Sequence, residues 1–297
     1  MATETLLKNE YGQADLYHLS EGLSGIRFTH HKSQGEVSLY GGQVLSWQPK
    51  GQLPIFWLSD NSQYSTSSAI RGGIPLCWPW FGGDVKSPNG QMLKVSNHGF
   101  ARQSQWHLDN IEITESEVVV VLSLSGQQFS AHWPTAFKLT QKLVFSAQFQ
   151  QVLTMTNMSD VTVAYTGALH SYFKVSDPKK VTISDLDKSS YDDKLTGQQK
   201  QVSELENCLG PIDRVYYNGD SKIIMDNGWR RAITVTSDNC HQWVLWNPGQ
   251  QAVTTMADMH MNAEQEFICL EAANTQWQNI ASQASVSIGQ SITIKEL

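Results

Sequence analysis

Apolar residues recur at every second position through most of this chain. Val118, Val120, Leu122 and Leu124 share one parity, as do Phe137, Leu139, Leu143 and Phe145, and then Val161, Val163 and Tyr165. The C-terminal "ASVSIGQSITIKEL" places Val286, Ile288, Ile292 and Ile294 on one face. A period of two marks strands with one buried and one wetter side. Turn-forming clusters, "SPNGQ", "DNGWR" and "NPGQQ", separate the runs. Helical spacing over ten or more residues is not convincing anywhere. The pattern predicts an all-β architecture of antiparallel sheets packed face to face. With no linker, charge block or internal repeat, residues 1–297 read as a single β-sandwich domain.

Composition narrows the partners. Hydrophobic residues make up 40% and charged residues 16%, which suits a folded globular chain. The net charge of -7 repels phosphate at long range, which argues against nucleic acid or an anionic membrane as the main partner. A small phosphorylated ligand is still compatible, because clustered arginines override the global field locally. "MATETLLKNEYGQ" lacks a basic segment followed by an apolar one, and no window approaches a membrane span. Cys77, Cys208, Cys240 and Cys269 are scattered and read as reduced thiols. A cytoplasmic monomer is the expectation.

Four segments depart from simple alternation. "AIRGGIPLCWPWFGG", residues 69 to 83, cannot form a regular helix or central strand. It reads either as a rigid loop packed on aromatics or as a ligand-facing loop. In the second case Arg71 supplies a bidentate anion contact and the glycines let backbone approach the ligand. "SNHGFARQSQW" gathers Asn97, His98 and Arg102 beside a glycine. "GALHSYFKVSD" carries His170 between a strand-like run and two aromatics, and "EFICLEAAN" ends an apolar run on Glu271. A carboxylate there is costly unless it is paired or used. "VLWNP" and "MADM" add a strand and a supporting Asp258. No metal-binding spacing is present: His30 and His31 lack a third ligand, and HExxH is absent.

Taken in order, "RGGIPLCWPWFG", "NHGFAR", "LHSYF", "WNP…MADM" and "ICLEAAN" resemble the hexose-6-phosphate mutarotases, or glucose-6-phosphate 1-epimerases, of the aldose-epimerase superfamily. The resemblance covers roughly residues 20 to 295. It implies a galactose-mutarotase-like β-supersandwich and cofactor-free interconversion of the α and β anomers of a hexose 6-phosphate, glucose 6-phosphate foremost. The family's catalytic histidine falls on His170 and its glutamate on Glu271, with Ala272 standing where proline is usual. Its ligand-binding arginines fall on Arg71 and Arg102. Asn97 stands where a longer amide is common, His98 matches the superfamily's second histidine, and "IDRVYYN" puts Asp213 at a sugar-binding aspartate.

The residue types suit that chemistry. Anomerisation removes the O1 proton, delivers a proton to ring oxygen O5, and lets C1–C2 rotate in the open aldehyde. The resemblance makes Glu271 the base on O1–H and His170 the acid toward O5, with Tyr172 and Phe173 as walls fixing the imidazole. Arg71 and Arg102 are planar forks suited to the 6-phosphate. A carbohydrate-binding sandwich without catalysis is the rival of another class, and an epimerase of unphosphorylated hexoses the rival among enzymes. The acid/base pair separates the first from this reading, and the two arginines separate the second.

Overall fold

The computed structural model describes residues 3–217 and 219–297. Its alternating runs assemble into large antiparallel sheets. The first five strands, from Glu4–Asn9 to Gln43–Pro49, form a meander in chain order. An eight-stranded sheet takes the longest alternating runs. Ser285–Glu296, Phe149–Asn157, Phe137–Phe145 and Val118–Gly126 lie side by side there, each antiparallel to the next. The third sheet runs in the order Gln201–Val202, Ser190–Asp193, Ile212–Tyr216, Gln242–Asn247, Phe267–Ile280, Val163–Leu169, Leu76–Cys77, and Tyr172–Lys174 also pairs with Phe267–Ile280.

The predicted all-β class holds, and burial follows parity. Along Phe137–Phe145 the odd positions are buried and the even ones exposed or half-buried. Val161 departs from its predicted run: it precedes the strand that begins at Val163 and is 62% exposed. "NPGQQ" is not a plain turn, since Gly249–Val253 forms the one α-helix among the described residues. No helix of these residues is long and apolar enough to cross a membrane.

The third sheet has two working faces. Leu169, Phe173, Leu245, Leu270 and Ala272 point into the main core shared with the other sheets. The opposite parity gives Cys77, Ala168, Val215, Val244 and Ala273, a small separate cluster with Phe81 packed against it. Val244 and Phe81 of this second face border open room above the sheet. That room is the candidate site.

Candidate active site

A cavity of about 400 Å³ lies over the second face. It is lined by Arg71, Asn97, His98, Arg102, His170, Asp213 and Glu271, so every site residue singled out in the sequence reaches it. Lys194, Trp246, Met256, Val244, Phe81, Gly82 and Gly83 complete the wall.

Strand register brings the central pair together. Leu169 opposes Ala272, and Tyr172 opposes Cys269, so one register holds on both sides of the two-residue gap in the strand. His170 therefore faces Glu271 across adjacent backbones, on the same side of the sheet. Their side chains meet at 3.4 Å, His170 Nε2 to Glu271 Oε1, with 8% and 1% exposure. Glu271 does not end a run as expected. It is the fifth residue of the central strand Phe267–Ile280, hydrogen-bonded to neighbours on both sides, with Val244 opposite. Ala272, at the position where proline is usual, faces the core in mid-strand, where a proline could not donate to the ladder.

The imidazole is held by rings. Tyr172 stacks on His170 at 4.9 Å between centroids, 9° from parallel, and Trp246 stands edge-on at 6.1 Å. Phe173 is not a wall of the site. Being one residue on, it points through the sheet to the core, against Phe56.

Burial sets the protonation of the pair. Loss of water, then the charges of Arg102 and Arg71, push His170 down to about 3. The same desolvation pushes the Glu271 carboxyl well above the usual carboxylate range, and the nearby Asp213 adds to it. Loss of water thus shifts both partners toward their neutral forms. Asp213 is itself raised to about 6 by burial. His170 Nδ1, Glu271 Oε2 and Arg102 Nε have no hydrogen-bond partner among the described residues.

His98 adopts a left-handed backbone, φ 64°, and its Nδ1 accepts a hydrogen bond from the Gly82 amide at 3.1 Å. That bond fixes the tautomer, leaving Nε2–H as a donor. Burial, followed by the charge of Arg102, holds its pKa well below the ordinary value. It is a neutral donor standing edge-on to His170, with ring centroids 5.5 Å apart.

The cations are anchored unequally. Arg71 Nε donates to Asp258 Oδ2 at 2.9 Å and a terminal nitrogen donates to the Tyr172 hydroxyl at 3.0 Å. The supporting role expected of Asp258 is therefore present as an ion pair. Arg102 donates to the Asn97 carbonyl at 2.8 Å, and Asn97 sits exposed at the rim. The glycines after Arg71 do not open a path to ligand. A Cβ on Gly72 or Gly73 would strike the backbone of Trp57 and Leu58 or of Val44. They let the loop pack on its own protein.

Lys194 escaped the sequence reading. It follows the strand Ser190–Asp193, and its amide donates to the Asp213 carbonyl at 2.8 Å. A lysine in "DDKLTGQQK" carries no local signal. Trp246 could have been found, since it shares parity with Val244 in "VLWNP".

A buried His–Glu pair thus meets across strands of an antiparallel supersandwich, with Arg71 and Arg102 on the same cavity wall. The chain belongs to the aldose 1-epimerase family, whose model matches residues 25–295. It is an isomerase of that family, and interconversion of sugar anomers is its activity. A protein of Escherichia coli (strain K12), by name a candidate glucose-6-phosphate 1-epimerase, is 31% identical over 270 residues, 89% of this chain and 88% of that one. A like-named protein of Salmonella typhimurium is 31% identical over 84% of this chain and 83% of its own. Among solved structures, a candidate mutarotase of Salmonella typhimurium superposes with a TM-score of 0.87 at 27% identity, covering 99% of this chain and 96% of that one. A galactose mutarotase-like protein of Clostridium acetobutylicum, 13% identical, shares the fold with a TM-score of 0.75 over 97% of this chain and all of that one.

Proposed function

We propose that the cavity interconverts the α and β anomers of a hexose 6-phosphate, glucose 6-phosphate foremost, with His170 and Glu271 as the acid/base pair. The observation that carries this is the 3.4 Å contact between two buried titratable groups in a cavity lined by Arg71, Arg102 and Lys194. Ring opening needs one group to accept the O1 proton while another donates to O5. A pair holding a single proton does both and is restored on closure. Glu271 accepts and His170 donates from the imidazolium–carboxylate form, which proton transfer from Glu271 to His170, 3.4 Å away, makes from the neutral pair. His98 Nε2–H and Asp213 hold the sugar hydroxyls, and Asn97 closes the rim.

The cations support the phosphate. Arg71 is aimed by Asp258 and Tyr172, which occupy two of its donors and leave others for a ligand. A hexose without phosphate gives this cluster nothing to neutralise. Action as a monomer in the cytoplasm belongs to the same proposal.

Exchange NMR on equilibrated glucose 6-phosphate tests it, because it reads α/β interconversion directly. Wild type should accelerate exchange, and Glu271→Gln should lower kcat by about 10²–10⁴-fold, the usual worth of a proton transfer. Wild-type protein that left hexose phosphate exchange at its uncatalysed rate would sink the reading. Arg71→Ala and Arg102→Ala should each narrow the preference for glucose 6-phosphate over glucose.

A further inference from the structure

Three glutamines stand where the alternating pattern calls for apolar residues. Gln141 lies between Leu139 and Leu143 on the inward face of its strand, Gln151 between Phe149 and Leu153, and Gln290 between Ile288 and Ile292. All three are buried. Unpaired amides in a dry core are costly, and these are joined head to tail. Gln290 Nε2 donates to Gln151 Oε1 at 2.8 Å, and Gln151 Nε2 donates to Gln141 Oε1 at 2.7 Å. Gln141 Nε2 donates to the Gly42 carbonyl.

Both ends of this ladder reach segments of the site. Gln290 Nε2 donates to Ser171 Oγ at 2.9 Å, and the Ser171 hydroxyl donates to Gln290 Oε1 at 3.1 Å. Ser171 is the residue after His170, inside the two-residue gap between strands, and its side chain points to the core as His170 points to the cavity. At the other end, Gln43 follows Gly42. Its Nε2 donates to the carbonyls of Ile70 and Gly72, at 3.1 and 2.6 Å, on either side of Arg71. Three leucines would fill the same face, but they would leave the buried Ser171 hydroxyl and the Gly42 carbonyl without these partners. Packing alone does not call for the amides; their end points do.

We propose that the Gln290–Gln151–Gln141 ladder is a positioning device: it holds His170 opposite Glu271 through Ser171, and ties that point to the Arg71 loop through Gly42 and Gln43. The inference rests on reading His170 and Glu271 as the acid/base pair. Without the Ser171–Gln290 bonds, Ser171 keeps only its backbone hydrogen bonds, and the backbone that carries His170 shifts against the Glu271 strand while the imidazole keeps its ring contacts. A misplacement of about 1 Å costs up to about 10²-fold in rate.

The test is exchange NMR with glucose 6-phosphate and with glucose, on wild type, Ser171→Ala, Gln290→Met and the double variant. Each single change should lower kcat by about tenfold or more at unchanged KM. The pH limbs of kcat should move, because the His170–Glu271 separation sets how the pair shares its proton. The double variant should be no slower than the worse single one, since both cut the same link. Single variants within twofold of wild type, or losses that multiply in the double variant, overturn the proposal. Should Gln290→Met fail to fold, Ser171→Ala, which removes one oxygen, decides alone. His170→Ala is the control for the underlying reading: full activity there refutes the acid/base assignment itself, whereas an inactive control beside unaffected ladder variants refutes only the ladder.

Discussion

Replacing His170 with glutamine tests where the proton of the buried pair rests. Burial, reinforced by Arg102 and Arg71, pushes His170 down to about 3, against about 6.5 for an exposed imidazole. As pH falls, the unfolded chain takes up this proton first. The stability due to a neutral His170 is thus complete above about pH 6.5 and lost toward the folded value. Each pH unit below the unfolded pKa costs about 1.4 kcal/mol, so between pH 7 and pH 5 the loss is about 2 kcal/mol. Urea unfolding at those two pH values, followed by tryptophan fluorescence, should show wild type losing about 2 kcal/mol more than His170→Gln. Glu271 runs the other way. Its raised carboxyl contributes stability that is full below the unfolded value and fades as pH rises through the folded one. The comparison is therefore repeated in a Glu271→Gln background. Equal losses with and without His170 in both backgrounds would falsify the claim that burial keeps the imidazole neutral.

Tyr172→Phe keeps the ring stacked on His170 and removes the hydroxyl that receives Arg71; it should raise KM for glucose 6-phosphate about tenfold, as for one hydrogen bond to a charged group, with kcat and the glucose reaction unchanged in steady-state assays. Lys194→Met should lower kcat/KM for glucose 6-phosphate by about tenfold while glucose stays within about twofold, and equal losses on both sugars would remove Lys194 from phosphate recognition. Gly73→Ala drives a Cβ into the Val44 carbonyl at a φ of +62°. It should cost about 3 kcal/mol or more, seen as a Tm lowered by about 6 °C or more in calorimetry.

Parity was the most legible property of the chain. The runs at 118–124, 137–145 and 285–296 became strands with the expected faces inward, because a period of two can bury only one side of a sheet. The same rule, applied one residue further, would have separated Tyr172 from Phe173, since neighbours on a strand cannot share a wall. Register was out of reach. That His170 meets Glu271 follows from pairing between strands about a hundred residues apart, and nothing local encodes it. The glutamines were in plain view, as the gaps at 141 and 290 in otherwise apolar rows. A polar residue at a core position is a question about partners, and only three dimensions supply them. Lys194 lay in a turn whose composition resembles any solvated loop, so its place on the cavity wall depends wholly on where the strands before and after it lead.

The charges around the pair have a consequence for catalysis. On His170 desolvation and the arginines act together, each disfavouring the imidazolium. On Glu271 they oppose, with burial raising the carboxyl while Arg102 and Lys194 lower it. A dianionic phosphate bound among these cations cancels part of their field at both groups. Each then holds a proton more readily, so bound phosphate moves the pH limbs of both groups upward. Transfer from Glu271 to His170 depends on their difference and gains nothing from a shift common to both. On the proposed reading, the substrate's phosphate thus does more than bind. It offsets the arginine field at His170, while burial, the larger cause of the low value there, is untouched.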